Sequence, residues 1–257
     1  MRQRRIIPGV DPKLLIKDAA RLMPDASRRG FLRGAASLGA LTFLTGCDII
    51  DGDTAEGVLR KVSEFNDGAQ AAIFSRTKLA PTYPESAITR PFPFNGFYGE
   101  DDAPEVNAET YKLEVAGLVD NKKPWTLKEL YALPEVSQIT RHICVEGWSA
   151  IGSWQGTPLS EFLQRVGADT RAKYVWFKCA EGYTNTIDMP TALHPQTQMT
   201  FKFANQVLPR SYGFPMKIRI PTKLGFKNPK YVVAMEVTNT DKGGYWEDKG
   251  YNWFSGL

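Results

Sequence analysis

The 257-residue sequence has only two histidines and three cysteines. A four-ligand zinc site would need His142, His194, Cys144 and Cys179 together, and their spacing fits no zinc pattern. There is no Gly-x-Gly-x-x-Gly run, which excludes the usual dinucleotide fingerprint. Haem-attachment and flavin motifs are also lacking, as are internal repeats and low-complexity tracts. The apolar stretch from Ala35 to Thr45 covers 11 residues, short of the roughly 20 needed to cross a bilayer as a helix. No large excess of charge of one sign remains once the chain is divided. Residues 1–46 hold nine of the 32 Lys and Arg and three of the 28 Asp and Glu. The remainder carries 23 basic and 25 acidic residues. The basic balance belongs to the leader, so we expect no nucleic-acid partner.

What is present reads as globular. Hydrophobic residues make up 42%, aromatic residues 12% and charged residues 23%, enough to bury a core. In the leader, Ser27-Arg28-Arg29-Gly30-Phe31-Leu32-Arg33 precedes the short apolar stretch. That order has the proportions of a signal peptide, and the paired arginines resemble a twin-arginine signal, a route for folded, cofactor-loaded proteins. Leu44-Thr45-Gly46-Cys47 resembles a lipobox, with Asp48 next. Residues 1–46 are therefore expected to be a signal. A lipidated Cys47 would provide membrane contact, and the location expected is periplasmic, anchored to the inner membrane.

Residues 47–105 read as an irregular lead-in, because Pro81, Pro84, Pro91, Pro93 and Pro104 break any long helix. Phe92, Phe94, Phe97 and Tyr98 should pack it onto the core. Residues 106–257 then read as the catalytic core. Tyr111–Val115 alternates like a half-buried strand, and 173–179, 216–220 and 231–237 are further β-rich runs. Thr126 and Glu129 have capping-box spacing before a short helix that ends ahead of Pro134. Leu159, Phe162, Leu163 and Val166 share one helical face, and Gly167 stops that helix. The sum is a mixed α+β fold without regular βαβ alternation.

The chemistry centres on Cys144. Ser137–Ile143 alternates as a strand, which puts Cys144 at a strand end, and Gly147 and Gly152 permit a tight loop there. Arg141 and His142 stand next to it, where a thiolate gains stability. Soft thiolates suit a metal dithiolene centre. A Cys144–Cys179 disulfide and a pair of buried thiols are the alternatives that composition leaves open.

Arg141-His142-Ile143-Cys144-Val145-Glu146-Gly147-Trp148-Ser149, followed by Trp154 and Gly156-Thr157-Pro158-Leu159, closely resembles the molybdenum-cysteine segment of the periplasmic methionine-sulfoxide reductase catalytic subunits. Ala192-Leu193-His194-Pro195, Gly213-Phe214-Pro215, the run Ile220–Lys230 and the tail Gly243–Trp253 match in the same order. The resemblance implies a sulfite-oxidase-like molybdopterin-binding fold with mixed sheets and short helices. It implies a molybdenum-molybdopterin cofactor with Cys144 as the metal ligand. By the same resemblance Asn95, Tyr98, Gly99, Lys217, Asn228, Pro229 and Lys230 bind the pterin, and His194 either joins them or satisfies buried backbone. The family's Thr lies 35 residues after the metal cysteine and is here Cys179, and its later Asn is here Tyr212; both depart from the pattern. With Cys144 on metal, no Cys144–Cys179 disulfide is expected.

Sulfite oxidases proper carry Cys-Ala-Gly-Asn-Arg at this point, whereas this chain has Cys-Val-Glu-Gly-Trp. Without that Arg, a neutral S-oxide or N-oxide suits the site better than anionic sulfite. Glu146 is the expected proton donor and Arg141 its neighbour. The expected reaction is oxygen-atom abstraction from a small-molecule or protein-bound oxide. Electrons would come from a separate carrier, in the reductase relatives a membrane haem protein. Sulfite-type oxidation on the same fold and a cofactor-free lipid-anchored binding protein are the alternatives.

Overall fold

The computed structural model describes residues 52–257; the twin-arginine and lipobox segments lie outside them. The chain divides into two units, 1–58 and 59–257. Of the first, only the opening residues of helix α1 (Gly52–Ile73) are described. The second holds everything discussed below.

Two sheets build this unit: the first is mixed, as expected, and the second is antiparallel throughout. In the first, β1 (Lys112–Gly117) runs parallel to β10 (Val232–Thr238). β10 pairs antiparallel with β5 (Tyr174–Cys179), which pairs with β6 (Thr184–Asp188). The short β2 (Trp125–Thr126) closes the other edge. In the second sheet, β3 (Val136–Ile143) and β4 (Ser149–Pro158) form a hairpin. β4 also pairs β7 (Gln198–Phe203), which takes β8 (Gln206–Val207) and β9 (Lys217–Arg219). The alternation read from Tyr111–Val115 is real: Leu113 and Val115 are buried while Lys112 and Glu114 are exposed.

Short helices connect the strands. Helix α2 (Leu127–Tyr131) starts on the expected capping box. The Thr126 hydroxyl accepts from Glu129 N–H, and the Glu129 carboxylate accepts from Thr126 N–H at 2.8 Å. Helix α3 (Leu159–Arg165) buries Leu159, Phe162 and Leu163 completely, each contributing about 1.5–3 kcal/mol by burial. Gly167, at φ +64°, ends it. Helix α4 (Met189–Ala192) follows β6.

Two features differ from the sequence reading. Strands β4, β6 and β7 lack a clear period-2 signature. In β4, Gly156 lies so close to β7 that a Cβ would fall 1.9 Å from the Met199 carbonyl oxygen, so glycine marks a close backbone approach. The expected irregular lead-in also begins with a 22-residue helix, α1. Its inward groups are polar: the Asp67 carboxylate accepts from Phe254 N–H at 2.7 Å, and Gln70 Oε1 accepts from Gly256 N–H at 3.0 Å. Leu59, Val62 and Phe65 point outward and are exposed. From residue 74 the lead-in is irregular as expected, and Phe92 anchors it edge-on to Trp154 at 5.3 Å. No helix among the described residues is long and apolar enough to cross a membrane.

Candidate active site

Cys144 sits where β3 stops. Its N–H donates to the Trp148 carbonyl at 2.9 Å and its carbonyl accepts from Gly147 N–H at 3.1 Å. Gly147 supplies the positive φ, +91°, that this turn needs. The Cys144 side chain is buried. Asn95 Nδ2 donates to its sulfur at 3.4 Å, and the thiol faces Glu146 Oε2 at 3.7 Å. Trp148 Nε1 donates to the same carboxylate oxygen at 2.9 Å.

Strand alternation corrects the expectation that Arg141 and His142 stabilise a thiolate. Arg141 and His142 leave β3 on opposite faces. Arg141 is exposed, with its guanidinium 5.1 Å from the Tyr83 ring centroid, and it makes no ion pair with Glu146. His142 is buried, and desolvation holds it well below its ordinary pKa, helped by Arg219, Lys217 and Lys230. A neutral imidazole gives no charge to the sulfur. Burial pushes the Cys144 thiol up instead, so a thiolate there calls for a cation beyond this chain's own neighbours.

The facing wall is the segment from β9 to β10. Asn228 Oδ1 accepts from Ile220 N–H at 2.7 Å and from Arg219 Nη1 at 2.8 Å, while its Nδ2 donates to Leu224 O at 3.0 Å. These three bonds fix the loop. Pro229 lends its carbonyl to Ile218 N–H at 2.9 Å. Lys230 Nζ donates to Asn95 O at 2.6 Å and to Ser211 O at 3.2 Å, tying the lead-in to the wall. Gly225 presses on His142, where a Cβ would fall 2.6 Å from Nε2.

Behind this wall lie three buried cations without an acidic partner among the described residues: Lys217, Arg219 and Lys230. Burial lowers the pKa of all three: Lys217 well below its ordinary value, Arg219 to about 9, Lys230 to about 8. The Arg219 Nε and both His142 ring nitrogens have no hydrogen-bond partner among the described residues. Uncompensated buried charge is costly, so this wall is built for an anion.

A cavity of about 220 Å³ opens between the two walls. Of the residues singled out in the sequence, Asn95, Tyr98, Cys144, Glu146, Asn228 and Lys230 line it. Lys217 lies behind, with Nζ 4.7 Å over the Trp154 ring. Gly99 is exposed at the start of a 3-10 turn, outside the lining. Cys179, a free thiol like Cys144, is wholly buried in the main core. Tyr212 donates its hydroxyl to Phe92 O at 2.7 Å. His194 pairs its Nε2 with Lys78 O at 3.0 Å and packs on Phe74; of its two expected roles, the structure shows the backbone one. Sequence reading did not assign Glu181, Phe97, Tyr183, Trp246 and Tyr251 to the site, and they also line it. The aromatic density of the tail was the available signal. There Phe97 stacks on Tyr245 at 4.8 Å and Trp246 meets Tyr251 at 4.9 Å.

The model of the oxidoreductase molybdopterin-binding domain matches residues 100–246. The chain belongs to this family. The molybdopterin-binding domain thus takes in both sheets, and the cofactor of this enzyme is molybdenum-molybdopterin. A putative protein-methionine-sulfoxide reductase subunit YedZ1 of Azospira oryzae is 58% identical over 240 residues, covering 93% of this chain and 92% of that protein. The protein-methionine-sulfoxide reductase catalytic subunit MsrP of Ralstonia nicotianae is 30% identical over 199 residues, and the match takes in 66% of this chain and 60% of that one. The sulfane dehydrogenase SoxCD of Paracoccus pantotrophus superposes with a TM-score of 0.51 at 18% identity, covering 54% of this chain and 40% of that one. The fold is therefore of the sulfite-oxidase type, as expected. The wall fits such a cofactor: three buried cations without an acidic partner among the described residues suit a pterin phosphate, and Cys144 lines the same cavity.

Proposed function

We propose that this molybdenum enzyme removes oxygen from S-oxides, with the sulfoxide of protein-bound methionine as its substrate class, outside the cytoplasm. The observation that carries this reading is the juxtaposition of Cys144, Asn95 and Glu146 in a cavity rimmed by Phe97, Tyr183, Trp246 and Tyr251. When bound, the cofactor supplies an oxygen-accepting metal and two electrons. Cys144 holds the metal through its sulfur, and Asn95 steadies that sulfur. Lys217, Arg219 and Lys230 would answer the pterin's negative charge. The aromatic rim accepts a thioether-bearing side chain, since sulfur packs favourably against aromatic edges. The names of the relatives from Azospira and Ralstonia support this substrate class. Glu146 in the lining disfavours an anionic substrate such as sulfite.

The same reading includes export through Arg28 and Arg29, lipidation at Cys47 and electron delivery by a membrane haem carrier. The leader supports the first two, and the resemblance to reductase subunits that draw electrons from a membrane haem protein supports the third. Metal and pterin analysis followed by a dye-coupled assay tests the enzymatic claim. About one molybdenum per chain and turnover of methionine sulfoxide in peptides are expected. Cys144→Ser should lose turnover. Full activity in that variant, or sulfite oxidation in place of S-oxide reduction, would overturn the assignment.

A further inference from the structure

Taking oxygen from an S-oxide as water breaks the S–O bond, reduces sulfur by two electrons and consumes two protons. The electrons come from the reduced cofactor; the protons come from groups in the cavity wall or from solvent. Glu146 is the obvious carboxyl, but its Oε2 already accepts from Trp148 Nε1 and faces the Cys144 thiol. A second carboxyl lines the same cavity.

Glu181 stands in the turn between β5 and β6. The backbone on either side is pinned: Ala180 N–H donates to Tyr231 O at 2.9 Å and Gly182 N–H to Cys179 O at 3.1 Å. Gly182 takes the positive φ of the turn, +86°. Glu181 thus lines the cavity from a fixed base, in the same lining as Cys144 and Glu146. Its Oε2 is buried and has no hydrogen-bond partner among the described residues. We propose that Glu181 delivers one of the two protons to the oxygen that leaves the substrate, the other coming from solvent. This rests on the S-oxide reading above.

The electrostatics agree. Burial is the largest influence on the Glu181 carboxyl and pushes it up to about 7, against the opposing pull of its own backbone N–H and, less, of Lys230. The other titratable groups around it are Cys179, Tyr98, Tyr183 and Tyr231, whose protons burial holds on, and Glu146 across the cavity. Among the described residues, Lys230 is the cation that acts on it. Near neutral pH the group thus holds a proton it can release, and the Lys230 ammonium stabilises the carboxylate left behind. A general acid contributes most when its pKa lies near the working pH.

The test compares loaded wild-type enzyme with Glu181→Gln and Glu181→Asp. Wild-type turnover of methionine sulfoxide should fall as pH rises through about 7. Glu181→Gln should lose turnover roughly a hundredfold, keep KM and molybdenum content, and lose that pH step. Glu181→Asp should regain part of the rate. Independently of activity, infrared difference titration should show a carboxyl band ionising near pH 7 in wild type and absent in Glu181→Gln. Undiminished turnover in Glu181→Gln, an unchanged infrared titration, or loss of molybdenum from the folded variant would each overturn the proposal. Wild-type enzyme inert toward every S-oxide would sink the underlying reaction assignment, and that result is read before any variant is compared.

Discussion

Lys217 is 5% exposed, and its ammonium has an aromatic face, the Trp154 ring, as its neighbour in place of a counter-ion. Desolvation dominates its environment, and the like charges of Lys230 and Arg219 add to it. The same side chain should therefore act in opposite directions with and without cofactor. Lys217→Met is expected to raise the melting temperature of cofactor-free protein, because an unpaired buried charge is removed. The loaded protein should lose one charged hydrogen bond, worth about 1.5–3 kcal/mol. At about 1.4 kcal/mol per tenfold change, cofactor retention weakens roughly ten- to hundredfold. Lys249→Ala is the control, since Lys249 is exposed and lies only over the Tyr245 ring. Molybdenum per folded chain, measured beside thermal melts, checks both signs; equal metal content across the variants would remove Lys217 from the cofactor site.

At the scale of elements, α1 is the helix the prolines concealed. Reading irregular structure back from Pro81 ignored the spacing of Leu59, Val62 and Phe65, and those residues face outward. The face that docks is polar, and an apolar-stripe argument cannot find a helix held by hydrogen bonds. Asp67→Ala should cost about 1.5–3 kcal/mol by freeing the Trp253 and Phe254 N–H groups it now accepts from. Leu59→Ser, at a position 68% exposed, should change stability by no more than about 0.5 kcal/mol. Urea denaturation of both variants makes the comparison; a larger loss in Leu59→Ser would mean that the outer face is packed. The hairpin β3–β4 was half legible. Alternation in β3 announced a strand ending at Cys144, whereas glycine-rich β4 was visible only through its partners.

For the whole molecule, the buried lysines set a pH dependence. Lys223, whose Nζ donates to Phe254 O at 2.8 Å, is lowered to about 7 by burial, and Lys230 to about 8. Both bind protons more weakly folded than unfolded, so unfolding takes up protons above these values. Raising pH then disfavours unfolding. Cofactor-free protein should gain stability as pH rises from about 7 toward 9, above which the raised proton affinities of Cys144, Cys179 and the buried tyrosines oppose the gain. Loaded protein should show a shallower slope, because an anion beside Lys230 restores its affinity for a proton. Thermal melts of both forms across this range test the sign; a fall in cofactor-free stability would show these lysines to be solvated.

Local order fixed much of this protein. Alternation along β1 and β3, the capping box at Thr126, the buried face of α3 and the position of Cys144 follow from residue spacing, because strand and helix periods are set by the backbone alone. The ordered motifs around Cys144 and from Gly213 to Lys230 likewise pointed to the family. Tertiary structure decided which neighbours in sequence become neighbours in space. Arg141 and His142 are adjacent, yet one faces solvent and the other the core. Glu181 and Cys144 are distant in sequence, yet they line one cavity. His194 and Tyr212 carry polar atoms suited to a cofactor, yet both spend them on backbone carbonyls. A side chain's chemistry is written in the sequence; its solvation and its partners, which set proton affinity and reach, exist only once the two sheets have packed.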